Sequence, residues 1–214
     1  LRQGRGRRLA AGARCGLRAL KQVAGISRER TAETIASKLG PRLNAAGRLD
    51  DAIKGVRLLT TESEREATEL AEELEQLNRA RRELEADIVE QALAQVESRE
   101  LPGGIVLYAR GWHLGVVGIV AARIMERFHR PTVVIAVNED GIGKGSARTV
   151  PGFDLYHALA GCRDLLMAFG GHPSAAGVTI QEGRLPEFAE RFSATAEAWI
   201  RNTHSVPKLH LDSE

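Results

Sequence analysis

The sequence predicts an α/β protein in which a long linker helix precedes a mixed-sheet α/β lobe, with further helices ahead of both. Three observations carry this. Residues 62–100 contain neither Pro nor Gly and set Leu70, Leu74, Leu77, Leu84 and Ile88 at helical spacing. After Gly104, β-rich apolar runs alternate with helical ones, the pattern of helices packed on a central sheet. The turn Asn138-Glu139-Asp140-Gly141 joins two of those runs as a hairpin, which makes the sheet mixed rather than purely parallel.

The elements follow in chain order. Through residue 28 the chain carries Arg2, Arg5, Arg7, Arg8, Arg14, Arg18, Lys21 and Arg28 and no acid. That asymmetry fits contact with a polyanion, and equally a solvated helix face. Ser27 starts a charged helical run to Leu39, which Gly40-Pro41 is expected to break. The helix over 62–100 would be about 60 Å long at 1.5 Å per residue. Its thirteen acids against five arginines make it a poor face for DNA and suit a spacer between two lobes. A coiled coil is the rival reading, but Arg81 interrupts the apolar seam after about three heptads. Leu101-Pro102-Gly103-Gly104 ends the helix.

Beyond it the pattern predicts a strand over 105–109, a helix over 115–128, strands over 132–137 and 142–147, a helix over 154–168, a strand over 177–180 and a helix over 185–200. Phe153, Tyr156, Phe169, Phe188 and Trp199 fall on helical or apolar positions and are assigned to the core.

Composition restricts the function class. With 43% hydrophobic and 27% charged residues the chain can bury a real core, and no apolar run approaches membrane-spanning length. Cys15 and Cys162 stand far apart without metal-ligand spacing, which favours a reduced, cytoplasmic setting over a disulfide or zinc role. The six histidines stand singly and no Asp-x-Asp occurs, so the paired carboxylates and imidazoles of two-metal hydrolysis are not visible.

Three stretches carry candidate chemistry. Gly170-Gly171-His172-Pro173-Ser174-Ala175-Ala176-Gly177-Val178-Thr179-Ile180 sets His172 among small residues that let a backbone approach a phosphate. The alternative is a Gly-rich turn with a surface histidine. In Gly143-Lys144-Gly145-Ser146-Ala147-Arg148, Ser146 and Arg148 share one face of a strand, so a hydroxyl and a guanidinium converge on one anion; the alternative is a strand-end salt bridge. Trp112 and His113 lie at a strand-to-helix turn, where the indole either stacks on a base or packs internally and the imidazole meets a phosphate. Gly115 and Gly118 then allow close packing at a helix start that also offers N–H groups to a phosphate. With only 4% aromatic residues, a long base-stacking platform is not supported.

Together with Gly40-Pro41-Arg42-Leu43-Asn44-Ala45-Ala46-Gly47-Arg48, these stretches resemble the DHH phosphoesterase superfamily. Tyr108–Arg123, Gly143–Arg148 and Gly170–Ile180 are similar to its DHH-associated domain. Gly40–Arg48 is similar to the segment just upstream of the linker helix in its bacterial single-strand-specific exonucleases. The resemblance implies the C-terminal tail of a DHH domain at 1–61, a linker helix at 62–100, a DHH-associated substrate-binding domain at 101–203 and the start of an OB-fold domain at 204–214. The start at Leu1 and the close at Pro207-Lys208-Leu209-His210-Leu211-Asp212 are then expected of an internal part of a longer protein.

The same resemblance implies 5′ to 3′ hydrolysis of single-stranded DNA in repair and recombination. It also implies Mg2+ or Mn2+ in the intact protein and none bound by this part, whose sequence lacks the Asp-His-His signature. It places Ser146 and Arg148 on the terminal phosphate, carries Arg48 over in that role, and adds His113, Gly171 and His172 as substrate contacts; Arg42 and Asn44 are equally readable as structural. No catalytic or metal-binding residue is assigned in this chain. The expected partners are single-stranded DNA with a 5′ end and other repair proteins, without a membrane, for a monomer. Alternatives are a superfamily member acting on oligoribonucleotides or cyclic dinucleotides, a tRNA-binding module like that of alanyl-tRNA synthetase, and a non-catalytic scaffold.

Overall fold

A computed structural model of the chain describes residues 15–26, 31–98 and 100–203. Most of the basic run through residue 28 and the whole of 204–214 lie outside the described residues. The chain forms two compact units, Leu1–Leu84 and Glu85–Glu214, and the boundary falls inside the long helix.

The first unit contains α1 (Cys15–Val23), α2 (Ala32–Thr34), α3 (Gly40–Leu49), α4 (Ile53–Thr60) and the first part of α5 (Glu64–Glu97). Leu20, Leu39, Leu58 and Leu74 form its core with the small Ala46, Ala67 and Ala71. Gly16 permits a close approach of α1, since a Cβ there would lie 1.7 Å from the Leu58 carbonyl oxygen.

Gly40-Pro41 does not break the helical run, contrary to expectation. Ile35–Leu39 widens into a π-helical turn in which the Gly40 N–H donates to the Ile35 carbonyl, and α3 starts directly behind it. Pro41 thus occupies the first turn of α3, where its missing N–H costs nothing. The Gly-Pro-Arg-Leu-Asn-Ala-Ala-Gly-Arg stretch is helix, not a bend.

Helix α5 is continuous over 34 residues, about 51 Å, with no break at Arg79–Arg82. Ser63 Oγ accepts from the Glu66 N–H at 3.3 Å, half of a capping box. The leucine seam stops at a polar turn: Asn78 and Arg81 are buried, and Arg81 Nη2 donates to Asn78 Oδ1 at 3.1 Å.

The second unit is built on five strands, β1 (Ile105–Arg110), β2 (Thr132–Val137), β3 (Ile142–Arg148), β4 (Leu166–His172) and β5 (Ala175–Gln181). Their order across the sheet is β1-β2-β3-β5-β4. β1 and β2 are parallel, joined through α6 (Leu114–Phe128), and every other pairing is antiparallel. On one face, α5 and α6 cover β1 to β3 with Ile88, Ala92, Val116, Val120 and Ile124. On the other, α7 (Leu155–Ala160) and α8 (Leu185–Thr203) bury Leu155, Leu159, Phe188 and Phe192. Truncating either phenylalanine to Ala would cost about 3–5 kcal/mol.

Two expectations fail here. The helix predicted over 154–168 stops at Ala160, and the chain turns through Gly161–Leu165 into β4, an edge strand that pairs with β5. Tyr156 is 47% exposed rather than core, tilted against Phe169 with ring centroids 5.5 Å apart.

Candidate functional site

Strand β3 alternates strictly. Gly143 and Gly145 face the α7 and α8 side, where a Cβ would press Ile135 at 2.8 and 2.5 Å, so only glycine lets the strands and the Ile135 side chain pack there. Lys144, Ser146 and Arg148 therefore share the opposite face, on which α6 packs. Arg148 Nη1 donates to Ser146 Oγ and to the Ala147 carbonyl, both at 2.8 Å. Gly118 of α6 lies against this pair: a Cβ there would be 3.1 Å from Ser146 Oγ and 3.3 Å from Arg148 Nη2.

His113 caps the N-terminus of the same helix. Its Nδ1 accepts from the Gly115 N–H at 3.0 Å, which assigns the ring proton to Nε2 and leaves an N–H donor on a half-buried imidazole. The helix start thus adds its positive end and a histidine donor to the element that packs on Ser146 and Arg148.

α6 packs on β2 and β3, and beyond it, among the described residues, Ala168, Gly170, His172 and Gly177 on the same sheet face are exposed. Across β3 and β5 the register pairs Ser146 with Gly177 and Arg148 with Ala175; across β5 and β4 it pairs Gly177 with Gly170 and Ala175 with His172. Gly177, Gly170 and His172 are exposed. The result is a floor of Gly and Ala with Arg148 at one side and His172 two strands away, about 10 Å between backbones.

The predicted residues divide accordingly. Ser146, Arg148 and His172 share this face, and His113 belongs to the helix that borders it. The Gly-Gly-His stretch is not a loop: Gly170, Gly171 and His172 end β4, and Pro173-Ser174 turns into β5. Gly171 alternates to the other face, with φ 149°, and a Cβ there would meet the Ala175 carbonyl oxygen at 2.4 Å and Ala176 Cα at 2.5 Å. Steric closure of the hairpin is the local requirement for that glycine. Arg48 is half-buried in α3, in the first unit.

Trp112 packs internally, 6% exposed, with Nε1 donating to Gln91 Oε1 at 2.9 Å. Arg42 is structural: Nε donates to Glu75 Oε2 at 2.5 Å and Nη1 to the Lys38 carbonyl at 2.6 Å. Lys144 is the residue the motif reading passed over. It is exposed on the face of Ser146 and Arg148, and the same period-two argument that found those two would have found it.

At the far end of the sheet, Arg110 donates from Nε and Nη2 to the two Glu182 oxygens at 2.9 and 2.5 Å. That fork holds the Glu182 carboxyl below the usual carboxylate range, and burial raises the Cys162 thiol. Among the described residues no three His, Cys, Asp or Glu side chains cluster to hold a metal ion. Nor is any described helix long and apolar enough to cross a membrane.

Residues 102–202 match the DHHA1 domain. The chain is 40% identical over 202 residues to the single-stranded-DNA-specific exonuclease RecJ of Bacillus subtilis, covering 93% of this chain and 26% of that protein. To RecJ of Escherichia coli it is 42% identical over 208 residues, covering 92% of this chain and 36% of that protein. The crystal structure of RecJ in complex with Mg2+ from Thermus thermophilus superposes with a TM-score of 0.80 at 37% identity, covering 90% of this chain and 30% of that one. A complex of the same protein with Mn2+ matches equally, at a TM-score of 0.80. The chain thus spans between about a quarter and just over a third of the length of these relatives. Residues 102–202 thus belong to the DHHA1 domain family, and along nine-tenths of its length, at 40–42% identity, the chain is similar to one part of the RecJ proteins.

Proposed function

We propose that this chain is the phosphate-holding part of a 5′ to 3′ exonuclease acting on single-stranded DNA in repair and recombination. The observation that carries the reading is Arg148 linked to Ser146 against Gly118, beside an open floor of glycine and alanine. A guanidinium and a hydroxyl on one side suit a phosphate, and small residues let it approach the backbone. His113 and His172 are assigned further contacts with the strand, Gly171 is assigned to shaping the hairpin that presents His172, and Arg48, in the first unit, is assigned a phosphate contact of its own.

The relatives' names supply the substrate class, and Mg2+ or Mn2+ in their crystals supplies the cofactor class. The described residues do not fit such an ion, having no carboxylate and imidazole cluster to hold it. The part assigned to this chain in the reaction is binding: it holds and orients phosphates. The protein is proposed to work in the cytoplasm, as a monomer, alongside other repair proteins.

The test is titration of the 214-residue chain with 5′-phosphorylated and 5′-hydroxyl oligonucleotides at stepped salt. Binding should be weak, favour the phosphorylated end, and fall with a log–log salt slope of about −0.7 per phosphate contacted. Affinity indifferent to both salt and the 5′ phosphate would overturn the reading.

A further inference from the structure

The face that carries Ser146 and Arg148 extends one repeat further along β3, to Lys144, which is exposed and whose side chain makes no ion pair or hydrogen bond among the described residues. Arg148 folds back along its strand onto Ser146, so those two define one anion position rather than two. Lys144 lies two residues on from Ser146, about 7 Å along the strand. That is close to the separation of successive phosphates in an extended single strand.

What lies across the sheet from Lys144 matters as much. Its register partner on β5 is Thr179, whose partner on β4 is Ala168. Neither is acidic, and neither is bulky enough to block a backbone. The rows through Lys144, Ser146 and Arg148 thus form one surface with cationic and hydroxyl donors and no carboxylate. A lysine ammonium on a flexible stem is a point charge that tolerates any base and sugar pucker, which suits a contact that measures chain length rather than sequence.

We propose that Lys144 is a second phosphate contact, one nucleotide along from the Ser146–Arg148 position, and that it makes this sheet face select oligonucleotides over mononucleotides. The inference rests on the phosphate-holding function proposed above and adds a length requirement to it. A mononucleotide satisfies only the Ser146–Arg148 position, whereas a chain of two or more nucleotides also engages Lys144.

The experiment titrates the isotope-labelled 214-residue chain, by chemical-shift mapping, with thymidine 5′-monophosphate and with 5′-phosphorylated pentathymidylate. Wild type is compared with Lys144→Ala, Lys144→Arg and Arg148→Ala. Lys144→Ala should weaken pentathymidylate roughly three- to tenfold, lower its log–log salt slope by about 0.7, and leave the monophosphate unchanged. Lys144→Arg should restore affinity and slope. Arg148→Ala should weaken both ligands. If Lys144→Ala leaves pentathymidylate unchanged, or weakens the two ligands equally, Lys144 is not a second contact. If Arg148→Ala alters neither ligand, the phosphate-holding reading fails first and the length requirement falls with it.

Discussion

Arg148 Nη1 donates to Ser146 Oγ at 2.8 Å, two residues back on the same strand. Because the hydroxyl oxygen accepts from arginine, its own proton is left to donate elsewhere, and the guanidinium is held in place before any ligand arrives. Preassembly of this kind lowers the ordering entropy that a phosphate contact would otherwise cost.

Arg148→Ala should therefore harm ligand binding more than folding. A charge-assisted contact to phosphate contributes about 1.5–3 kcal/mol, whereas a half-exposed strand-end arginine contributes about 1 kcal/mol or less to stability. The expected outcome is a near-normal melting temperature with tenfold or more loss of preference for 5′-phosphorylated strands, to order of magnitude. Ser146→Ala should act in the same direction and more mildly. Comparing melting with binding of 5′-phosphorylated and 5′-hydroxyl strands checks it; two unstable variants with unchanged preference would make the pair structural.

Gly118→Ala separates helix stability from site geometry. Alanine is favoured inside a helix by about 1 kcal/mol, so α6 gains. The new methyl, though, would press Ser146 Oγ and Arg148 Nη2, the ends of movable side chains, at 3.1 and 3.3 Å. Those ends shift rather than the fold. The variant should melt at or above the wild-type temperature and bind 5′-phosphorylated strands several-fold more weakly; unchanged affinity would mean that the Ser146–Arg148 arrangement is not what the ligand meets.

How much of this the residues announce in advance depends on whether one local signal dominates. β2 over 132–137 and the continuous stretch of α5 were readable because nothing in them competes with a period of two or of 3.6. β4 was not: Leu155, Leu159, Cys162, Leu165 and Phe169 keep helical spacing, and only pairing with β5 beyond the Gly161 turn decides for a strand. Pro41 misled in the opposite way, because a π turn supplies the helix with a fresh start that a proline tolerates. In the site, Ser146 and Arg148 follow from strand alternation alone. The role of Gly118 needs the packing of α6 on β3, and the hairpin role of Gly171 needs the approach of Ala175, neither of which sequence spacing encodes.

The Arg110–Glu182 fork gives a pH dependence whose sign is fixed. Hydrogen bonding from Arg110 lowers the Glu182 pKa from its ordinary 4.5, so on acidification the unfolded chain takes up that proton first. The pair's contribution is fully present above the ordinary value and is lost as pH falls through the lowered one. Glu182→Gln removes this dependence. Melting both proteins between about pH 7 and pH 3 should show a constant gap at the high end that closes on acidification. A gap that widens with acid would reverse the assigned direction.

Gly170 and Gly171 are neighbours on β4 with opposite expectations. Gly170 is exposed on the open face with nothing within 4 Å of an added Cβ, so Gly170→Ala should fold normally. If a phosphate approaches the backbone there, that methyl alone should weaken its binding. Gly171 has φ 149°, and a Cβ would overlap the Ala175 carbonyl oxygen at 2.4 Å and Ala176 Cα at 2.5 Å. Both are backbone atoms that cannot turn aside. Gly171→Ala should therefore destabilise by about 2 kcal/mol or more, from overpacking together with an unfavourable backbone conformation. At about 2–4 °C per kcal/mol, that is a clear drop in melting temperature. Thermal melts and titrations of the two variants, side by side, check both expectations. A stable Gly171→Ala variant would show that the hairpin can open enough to take a side chain, and the glycine would then have to be explained by ligand contact instead.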